Sequence, residues 1–460
     1  MIDDNLMIEC IKRLLKKGGD YADVFWEDRK SLMISLDDNK IDKINIGHRE
    51  GVGIRLIHNL KTYYAYGNNL SPKQILALCD TLKNIPDGID RDIQIDNIRY
   101  HHGEPEIKQL ATSIGIDKKI KMLQSANSVA RSYHSAIKQL KAIYSEMDQE
   151  IKIATPQGDI VRDKRAYVTA MIHTVAIKDG EIQTGYETIG GMTGFEIFDD
   201  TPIEQIALIS ASRAILMLNA PKMRGGRMPV VISSSAGGTM IHEAVGHGLE
   251  ADLAMQGLSV FSGKIGELIA SPLVTVIDDA TLVGKRGSYH YDDEGTPSAS
   301  TVLIKEGVLM TYLCDRFNAI KYGIRTTGNG RRETYESKPI VRMTNTFIQS
   351  GTDDPDDIVR ATPKGLFVKK MGGGQVNTVT GDFVFDVQEG YVIENGDIGH
   401  AVRGVTLIGN GIEVLKSIDM VGRDLGFSIG TCGKDGQSVP VSDAMPTLRI
   451  GEMVVGGVNE

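Results

Sequence analysis

Cysteine is scarce in this chain of 460 residues, which has four widely separated thiols: Cys10, Cys79, Cys314 and Cys432. So few cysteines cannot cross-link a chain of this length, which argues against a disulfide framework and fits a reducing compartment. Basic residues are in deficit as well, with 51 Lys and Arg against 60 Asp and Glu and a formal net charge of -9. Because a nucleic-acid binder needs a concentrated basic face, this balance disfavours nucleic-acid partners.

Long apolar runs are also missing. No uninterrupted apolar stretch approaches the roughly 20 residues required to cross a bilayer. The first ten residues carry Asp and Glu where a secretory signal needs Lys or Arg, so we expect an N-terminus that is not cleaved. These features together predict a soluble cytoplasmic protein with no membrane partner.

The chain is long enough for two large domains. Residue periodicity predicts an N-terminal α+β region, with helices over 4–17, 71–83, 117–132 and 202–218 and strands over 21–66 and 142–193. A segment rich in Pro, Gly and basic residues, 219–229, then leads into a strand-rich and glycine-rich remainder with one convincing helix. We therefore predict an N-terminal α+β domain over residues 1–222 and a β-rich domain over residues 223–460.

That helix carries the strongest chemical signal, Ile241-His-Glu-Ala-Val-Gly-His-Gly248, after an apolar strand and a glycine turn. It is similar to the motif in which histidines at i and i+4 bind zinc and the adjacent Glu activates water. Here the spacing is one residue longer. Five residues leave the two imidazoles roughly 140° apart on a regular helix, whereas four leave them roughly 40° apart. If His242 and His247 bind one metal, the motif therefore predicts a distorted helix between Glu243 and Leu249, with Gly246 allowing a π-bulge or a break of the last turn.

A durable site needs a third ligand, and a catalytic zinc keeps its fourth position open. Cys432 lies among small residues in Ser428-Ile-Gly-Thr-Cys-Gly-Lys-Asp-Gly-Gln437, where a thiolate would reach a metal without crowding. An inert buried cysteine and two unrelated histidines are the alternatives that these patterns leave open. Two imidazoles with a thiolate suit zinc among the divalent metals.

Two other segments have an ordinary interpretation beside a functional one. The run Gly372-Gly-Gly-Gln-Val376, followed by the alternating Asp382-Phe-Val-Phe-Asp-Val387, would let an extended peptide add to a strand edge. A glycine turn that leads into a core strand is the interpretation we favour. Asp292-Asp-Glu294 would attract a peptide amino terminus, but a solvated acidic loop explains such a run more simply.

Several motifs of the second half together resemble the TldD/PmbA peptidases, also called modulators of DNA gyrase, and in particular the TldD branch. The motifs are His242-Glu-Ala-Val-Gly-His-Gly-Leu-Glu250, Val260-Phe-Ser-Gly-Lys264, Asp292-Asp-Glu-Gly-Thr-Pro297, Gly328-Asn-Gly-Arg-Arg-Glu333, Arg342-Met-Thr-Asn-Thr346, Gly372-Gly-Gly-Gln-Val376 and Cys432-Gly-Lys-Asp-Gly-Gln437. The resemblance covers essentially the whole second domain. It implies an α+β first domain and a β-rich, barrel-like second domain.

The resemblance also implies a function. It implies one zinc per active subunit, held by His242, His247 and Cys432, with Glu243 as the general base. It further implies a dimer, either of identical chains or with a PmbA/TldE-like paralogue, that cuts unfolded peptides inside a cavity. Because the inactive branch of the family has lost the motif and this chain retains it, we expect activity. The alternatives are a non-catalytic interaction protein with a structural metal site and a metal amidohydrolase acting on modified peptides.

Overall fold

The computed structural model describes residues 1–458. Its first half is built around one seven-stranded sheet that is covered by helices. The sheet order is β3-β2-β1-β5-β6-β4, with β7 paired to β6. The strands are β1 Tyr21–Asp37, β2 Lys40–His58, β3 Lys61–Gly67, β4 Arg99–Gly103, β5 Ile137–Ala154, β6 Asp159–Lys178 and β7 Glu181–Gly191. The helices are α1 Asp4–Leu15, α2 Pro72–Leu82, α3 Ile116–Tyr133, α4 Ile197–Asp200 and α5 Ile203–Asn219, with a 3-10 turn at Ala111–Ser113.

The helices cover one face of this sheet, as the side-chain alternation along β1 shows. Val24 and Trp26 pack with residues of α1 and α2. Ile34, ten residues further along the same face, packs with residues of α3 and α5. Because side chains alternate along a strand, the odd-numbered residues of β1 face the other way. Phe25 accordingly packs against Tyr335, which belongs to the second half of the chain.

The second half contains a closed five-stranded barrel. Its strands follow the order β15-β8-β22-β18-β16, and pairing of β15 with β16 closes the ring. A second sheet has the order β11-β10-β9-β14-β21-β20, and β12 pairs with β13 alone. The strands are β8 Gly226–Ile232, β9 Val276–Asp279, β10 Ser300–Lys305, β11 Val308–Leu309, β12 Gly330–Arg331, β13 Ile340–Val341, β14 Asn345–Ile348, β15 Lys364–Val376, β16 Asp382–Glu394, β17 Asp397–Val402, β18 Val405–Asn410, β19 Ile418–Val421, β20 Gly426–Lys434, β21 Gln437–Met445 and β22 Leu448–Gly456.

This architecture confirms the predicted α+β class with a barrel in its β-rich second part. The division of the chain between residues 222 and 223 falls between α5 and β8 and stays a prediction. No helix within residues 1–458 is long and apolar enough to cross a membrane.

The expectation of a single helix in the second half is wrong. Besides α6 Thr239–Ile241 and α7 Ala251–Ala254, which flank the histidine motif, there are three more helices, α8 Arg316–Tyr322, α9 Pro355–Arg360 and α10 Gly411–Lys416. Each of these three begins with a polar side chain, Asp315, Asp354 or Asn410, that accepts a hydrogen bond from the first turn. Helices of six or seven residues are too short to show a clear apolar period, and the caps were their main sequence signal.

The acidic run Asp292-Asp-Glu294 is not a solvated loop. All three side chains are buried. Arg165 on β6 donates to the Asp293 carboxylate at 2.8 Å, and Arg55 on β2 donates to Glu294 at 2.7 Å. The solvated-loop interpretation is therefore wrong, because arginines from the first half of the chain pair with two of the three buried carboxylates. Attraction of a peptide amino terminus stays a prediction.

The glycine run Gly372–Gly374 is not a turn either, since it lies inside β15 and pairs with β16 across a shifted register. The turn is formed by the following residues, 377–381. The expected core strand is present as β16, whose side chains alternate between buried and exposed. On its other side, β15 pairs with β8 only over Leu366–Val368. Whether a peptide adds to this strand stays a prediction.

Candidate metal centre

The histidine motif forms a helix that changes its winding twice. The chain leaves β8, makes a 3-10 turn at Ser234–Ala236 and passes Gly237, whose φ of 81° suits glycine. After α6 comes a π-helical turn, His242–Gly246, followed by a 3-10 turn, His247–Leu249. The backbone N–H of His247 donates to the carbonyl of His242, a bond that spans five residues. This wider turn brings residues five apart to one side, which confirms the predicted distortion.

Glycine is required at position 246 because a side chain would clash there, and not because of its backbone conformation. Its φ of -57° and ψ of -53° are ordinary helical values. A Cβ added at this position would lie 2.0 Å from the sulfur of Met343, which is itself fully buried. The absence of a side chain therefore lets the π-helical turn pack directly against the segment after β13.

Cys432 reaches the histidines from the edge of the second sheet. It lies on β20 opposite Val439 of β21, and the buried Arg342 donates to the carbonyl oxygens of Cys432 and Gln437. Its Sγ is 3.5 Å from Nε2 of His247. One potential ligand atom from each of His242, His247 and Cys432 falls within 4.8 Å of the others. The structure thus brings together the three residues that the sequence analysis selected.

The geometry of this cluster fits a zinc ion. With Zn–S and Zn–N distances of about 2.3 and 2.0 Å, the sulfur and nitrogen ligands of a tetrahedral site lie roughly 3.5 Å apart, which matches the 3.5 Å between Sγ of Cys432 and Nε2 of His247. The two imidazole rings are 5.1 Å apart and nearly perpendicular, at 87°. This arrangement lets two rings direct their nitrogens towards one point without stacking.

The charge state of the thiol also fits a metal ligand. Burial raises the pKa of Cys432, but hydrogen bonds and positive charge from His242 and His247 outweigh it and lower the pKa to about 5. The thiol is therefore a thiolate at neutral pH, which is the form that binds metals. The pKa of His247 is raised in return, because burial is outweighed by the charges of Glu250 and Cys432.

A buried carboxylate orients His247. Glu250 is fully buried, and its Oε2 lies 3.0 Å from Nδ1 of His247. Lys434 donates to the same oxygen at 2.9 Å and to Asp252 at 2.7 Å. Burial raises the pKa of Glu250, but Lys434 and His247 together lower it to about 2. A carboxylate on Nδ1 leaves Nε2, the nitrogen nearer Cys432, to face a metal.

Glu243, the predicted base, follows His242 directly in the π-helical turn. Its side chain is partly exposed, whereas those of Ala244 and Val245, which follow it, are buried. Glu243 is thus the partly exposed residue next to the buried His242. Its role as a base stays a prediction.

Comparison with known proteins identifies the family. Three family models match in order: PmbA/TldA metallopeptidase domain 1 over residues 22–85, the central domain over 110–218 and the C-terminal domain over 225–457. The chain belongs to the TldD/PmbA metallopeptidase family.

Full-length relatives agree with this family assignment. The chain is 37% identical to a metalloprotease TldD homologue of Haemophilus influenzae, over 96% of this chain and 93% of the relative. It is 35% identical to a metalloprotease of Methanocaldococcus jannaschii, over 96% and 98%. These relatives support a metallopeptidase that uses a metal cofactor.

Solved structures of the TldD/PmbA family share the fold. A Thermotoga maritima protein named as a modulator of DNA gyrase superposes with a TM-score of 0.80 at 20% identity, covering 99% of this chain and all of that one. TldE from Thermococcus kodakarensis superposes with a TM-score of 0.78 at 16% identity, covering 99% of each chain. At these identities the likeness concerns the fold alone.

Three further residues belong to the centre of this TldD/PmbA member and were not predicted from the sequence: Glu250, Lys434 and Arg342. Glu250 was visible in the quoted motif, three residues after His247, which is contact distance on a helical turn. Lys434 is two residues after Cys432, and residues two apart on a strand share a face. Arg342 left no signal of this kind, because its contact with Cys432 is made across 90 residues.

We expect Glu250→Gln to weaken zinc binding by roughly 10- to 100-fold, the usual effect of losing a carboxylate that orients a metal-binding histidine. Competition of the purified protein with a fluorescent zinc chelator would measure this change. Asp252→Asn is the matched control, since Asp252 also accepts a hydrogen bond from Lys434 but, within residues 1–458, forms none with His247. Equal zinc affinity in both variants would contradict the orienting role.

Proposed function

We propose that this TldD/PmbA family member is a zinc-dependent peptidase that hydrolyses peptide bonds of unfolded peptides. The observation that carries this proposal is the convergence of His242, His247 and Cys432, with ligand atoms within 4.8 Å of one another. The metalloprotease relatives support it, since the chain matches them over nearly its whole length.

Each residue has a distinct role in the proposed reaction. His242, His247 and Cys432 hold the zinc, one per active subunit. When bound, zinc acts as a Lewis acid that polarises a carbonyl and makes water nucleophilic at neutral pH. Glu243 takes the proton from the attacking water and passes it to the leaving amine. Glu250 keeps His247 in the orientation that the metal requires.

The number of ligands favours catalysis over a structural metal site. Structural zinc sites usually have four protein ligands, whereas catalytic sites have three and an open position. Within residues 1–458, the cluster contains three potential ligands, and no fourth His, Cys, Asp or Glu joins it. The partly exposed Glu243 beside this cluster suits a base that exchanges protons with water.

The assembly and location of the protein belong to the same proposal. We propose a dimer, formed with an identical chain or with a PmbA/TldE-like paralogue, in the cytoplasm. The shared fold with TldE of Thermococcus kodakarensis supports a partner of similar architecture. We also propose that residues 1–222 and 223–460 are separate domains, joined by the segment between α5 and β8.

A substrate comparison tests this function. The zinc-loaded protein should release fragments from an unstructured polypeptide such as casein, leave a tightly folded protein of similar size intact, and fail to hydrolyse small amides. Mass spectrometry of the products and metal analysis of the purified protein would give both activity and zinc per chain. Hydrolysis of small amides without peptide cleavage would favour an amidohydrolase. Bound zinc without any hydrolysis would favour a structural site.

A further inference from the structure

A polar cavity lies between the two halves of the chain, and its lining includes residues of the β20–β21 hairpin that carries Cys432. Its volume is about 380 Å³. The floor is the helix-free face of the first sheet, where Ser31 of β1 lies opposite Met147 of β5, and Met147 opposite Tyr167 of β6. The roof includes Thr431 and Pro440 of the hairpin. We call this cavity the arginine pocket, after the lining residues Arg29, Arg165, Arg286, Arg331 and Arg332.

Five arginines line this pocket, and two of them form ion pairs with acids outside the lining, Arg165 with Asp163 and Arg332 with Asp23. Three carboxylates line it, those of Glu146, Asp293 and Glu333. Lys119 binds Glu146 at 2.6 Å, and Arg165 binds Asp293 at 2.8 Å. Glu333 accepts a hydrogen bond from the backbone of Ser438. Within residues 1–458, neither Arg286 nor Arg331 forms an ion pair with any of them.

Arg286 and Arg331 donate hydrogen bonds to backbone carbonyls and keep further N–H groups that have no acceptor within residues 1–458. Arg286 donates through Nη1 to the carbonyl of Gly430 at 2.7 Å, and its buried Nε has no partner. Arg331 donates to the carbonyls of Met343 and Pro440, and its buried Nε also has no partner. The same holds for Nε of Arg332. Unpaired buried donors are unfavourable, so these three guanidinium groups keep hydrogen-bonding capacity that the chain itself does not use.

The free donors of Arg286 have the geometry for a carboxylate. The guanidinium is a planar fork, and two adjacent N–H groups match the two oxygens of a carboxylate. Nε of Arg286 is buried, so the end of the fork is the part left for a ligand: Nη1 there already donates to Gly430, and no hydrogen bond within residues 1–458 uses Nη2. Burial lowers the pKa of Arg286, and the charge of Arg331 lowers it further. A bound anion would relieve this repulsion.

We propose that the arginine pocket binds a carboxylate of the peptide substrate, with Arg286 as the principal donor. This inference rests on the proposed peptidase function, because that function supplies a peptide near the pocket. Thr431, which lines the pocket, is the immediate neighbour of Cys432, and adjacent residues on a strand point to opposite faces. β20 is the edge strand of its sheet, so the pocket and the metal cluster meet at neighbouring residues of one edge strand.

The affinity of the protein for matched acid and amide peptides tests this inference, and the measurement requires binding but no cleavage. The full-length zinc-loaded protein would carry Glu243→Gln so that fluorescent peptides are not consumed, and anisotropy would give Kd. In the first pair, one peptide has an internal Glu where the other has Gln, and both have an amidated C-terminus. The other pair has no acidic side chain and ends in a free carboxylate or an amide. The chain has a net charge of -9, so its overall field repels acidic peptides and would not create a preference for them.

We expect the acid of at least one pair to bind roughly tenfold or more tightly than its amide, as a charged hydrogen-bonded pair implies. A preference in the first pair identifies a side-chain carboxylate, and one in the second pair identifies the C-terminal carboxylate. Arg286→Gln should remove the preference and leave the Kd of the amide unchanged. Arg449→Gln is the matched control, because Arg449 also binds a backbone carbonyl at 2.7 Å but lies away from the pocket, and it should keep the preference.

Acids and amides that bind equally, no binding by any of the four peptides, or a preference that survives in Arg286→Gln would each overturn the inference. Because Arg286 contacts the strand that carries Cys432, zinc content and circular dichroism must accompany the measurement. If Arg286→Gln loses zinc, Arg286→Lys takes its place in the test, because Lys keeps the positive charge but lacks the planar fork. An undiminished preference for the acid in Arg286→Lys would also overturn the inference. A preference without cleavage by the unmodified protein would refute the peptidase function alone, whereas cleavage without a preference would refute this site alone.

Discussion

Replacement of Glu243 by Gln is expected to lower kcat/KM for an unstructured peptide by roughly 10²- to 10⁴-fold, the usual contribution of a general base. Gln has the size of Glu but cannot take a proton from water. The substitution leaves His242, His247 and Cys432 in place, so zinc content should not change. Peptide cleavage followed by fluorescence, with metal analysis of the same samples, measures both quantities.

A matched control separates this effect from the loss of a surface carboxylate as such. Glu267 lies in the same half of the chain, is well exposed and pairs only loosely with Lys264, at 3.6 Å. Glu267→Gln should therefore retain full activity. Full activity of Glu243→Gln with zinc still bound would show that another group takes the proton.

The metal cluster was largely predictable from the sequence because its main constraint is local. The spacing between His242 and His247 is incompatible with a regular helix, so a shared metal required a distortion, and the π-helical turn is that distortion. The position of Cys432 was harder to predict. Its approach depends on the pairing of β20 with β21 and on Arg342, neither of which leaves a local pattern around the cysteine.

The role of Gly246 shows where local reasoning falls short. The sequence suggested that glycine would relax the helix, but its dihedral angles are those of any helical residue. Glycine is needed because Met343, almost 100 positions later, packs against it. A close approach between distant segments cannot be read from the residues on either side of the glycine.

The prediction that the acidic run at Asp292 is exposed was wrong for the same physical reason, a contact between distant segments of the chain. Three consecutive acids predict exposure, since burying unpaired charge is costly. Here Arg55 and Arg165, more than 120 positions earlier, lie on strands of the first sheet and supply the opposite charge. Burial of such a run depends on how the two halves of the chain pack together, which local composition does not encode.

Replacement of Cys432 by Ala should cause the largest loss of metal. A carboxylate that only orients a ligand contributes roughly 10- to 100-fold to zinc affinity, and removal of a ligand itself should exceed that range, so we expect a fall of at least about a hundredfold. The variant should retain almost no zinc after dialysis and should cleave no peptide. Chelator competition and metal analysis measure the affinity and the stoichiometry.

The structure indicates that this loss would report on the sulfur itself and not on the hairpin. Arg342 donates to the backbone carbonyl of residue 432, and Lys434 of the same strand donates to Glu250. Neither hydrogen bond involves the sulfur, so both survive the substitution. Cys314→Ala is the matched control: Cys314 is equally buried in the same core, but burial raises its pKa and it lies outside the ligand cluster. Cys314→Ala should keep its zinc. Zinc stoichiometry that is unchanged in Cys432→Ala would remove the third ligand, and with it the proposed catalytic centre.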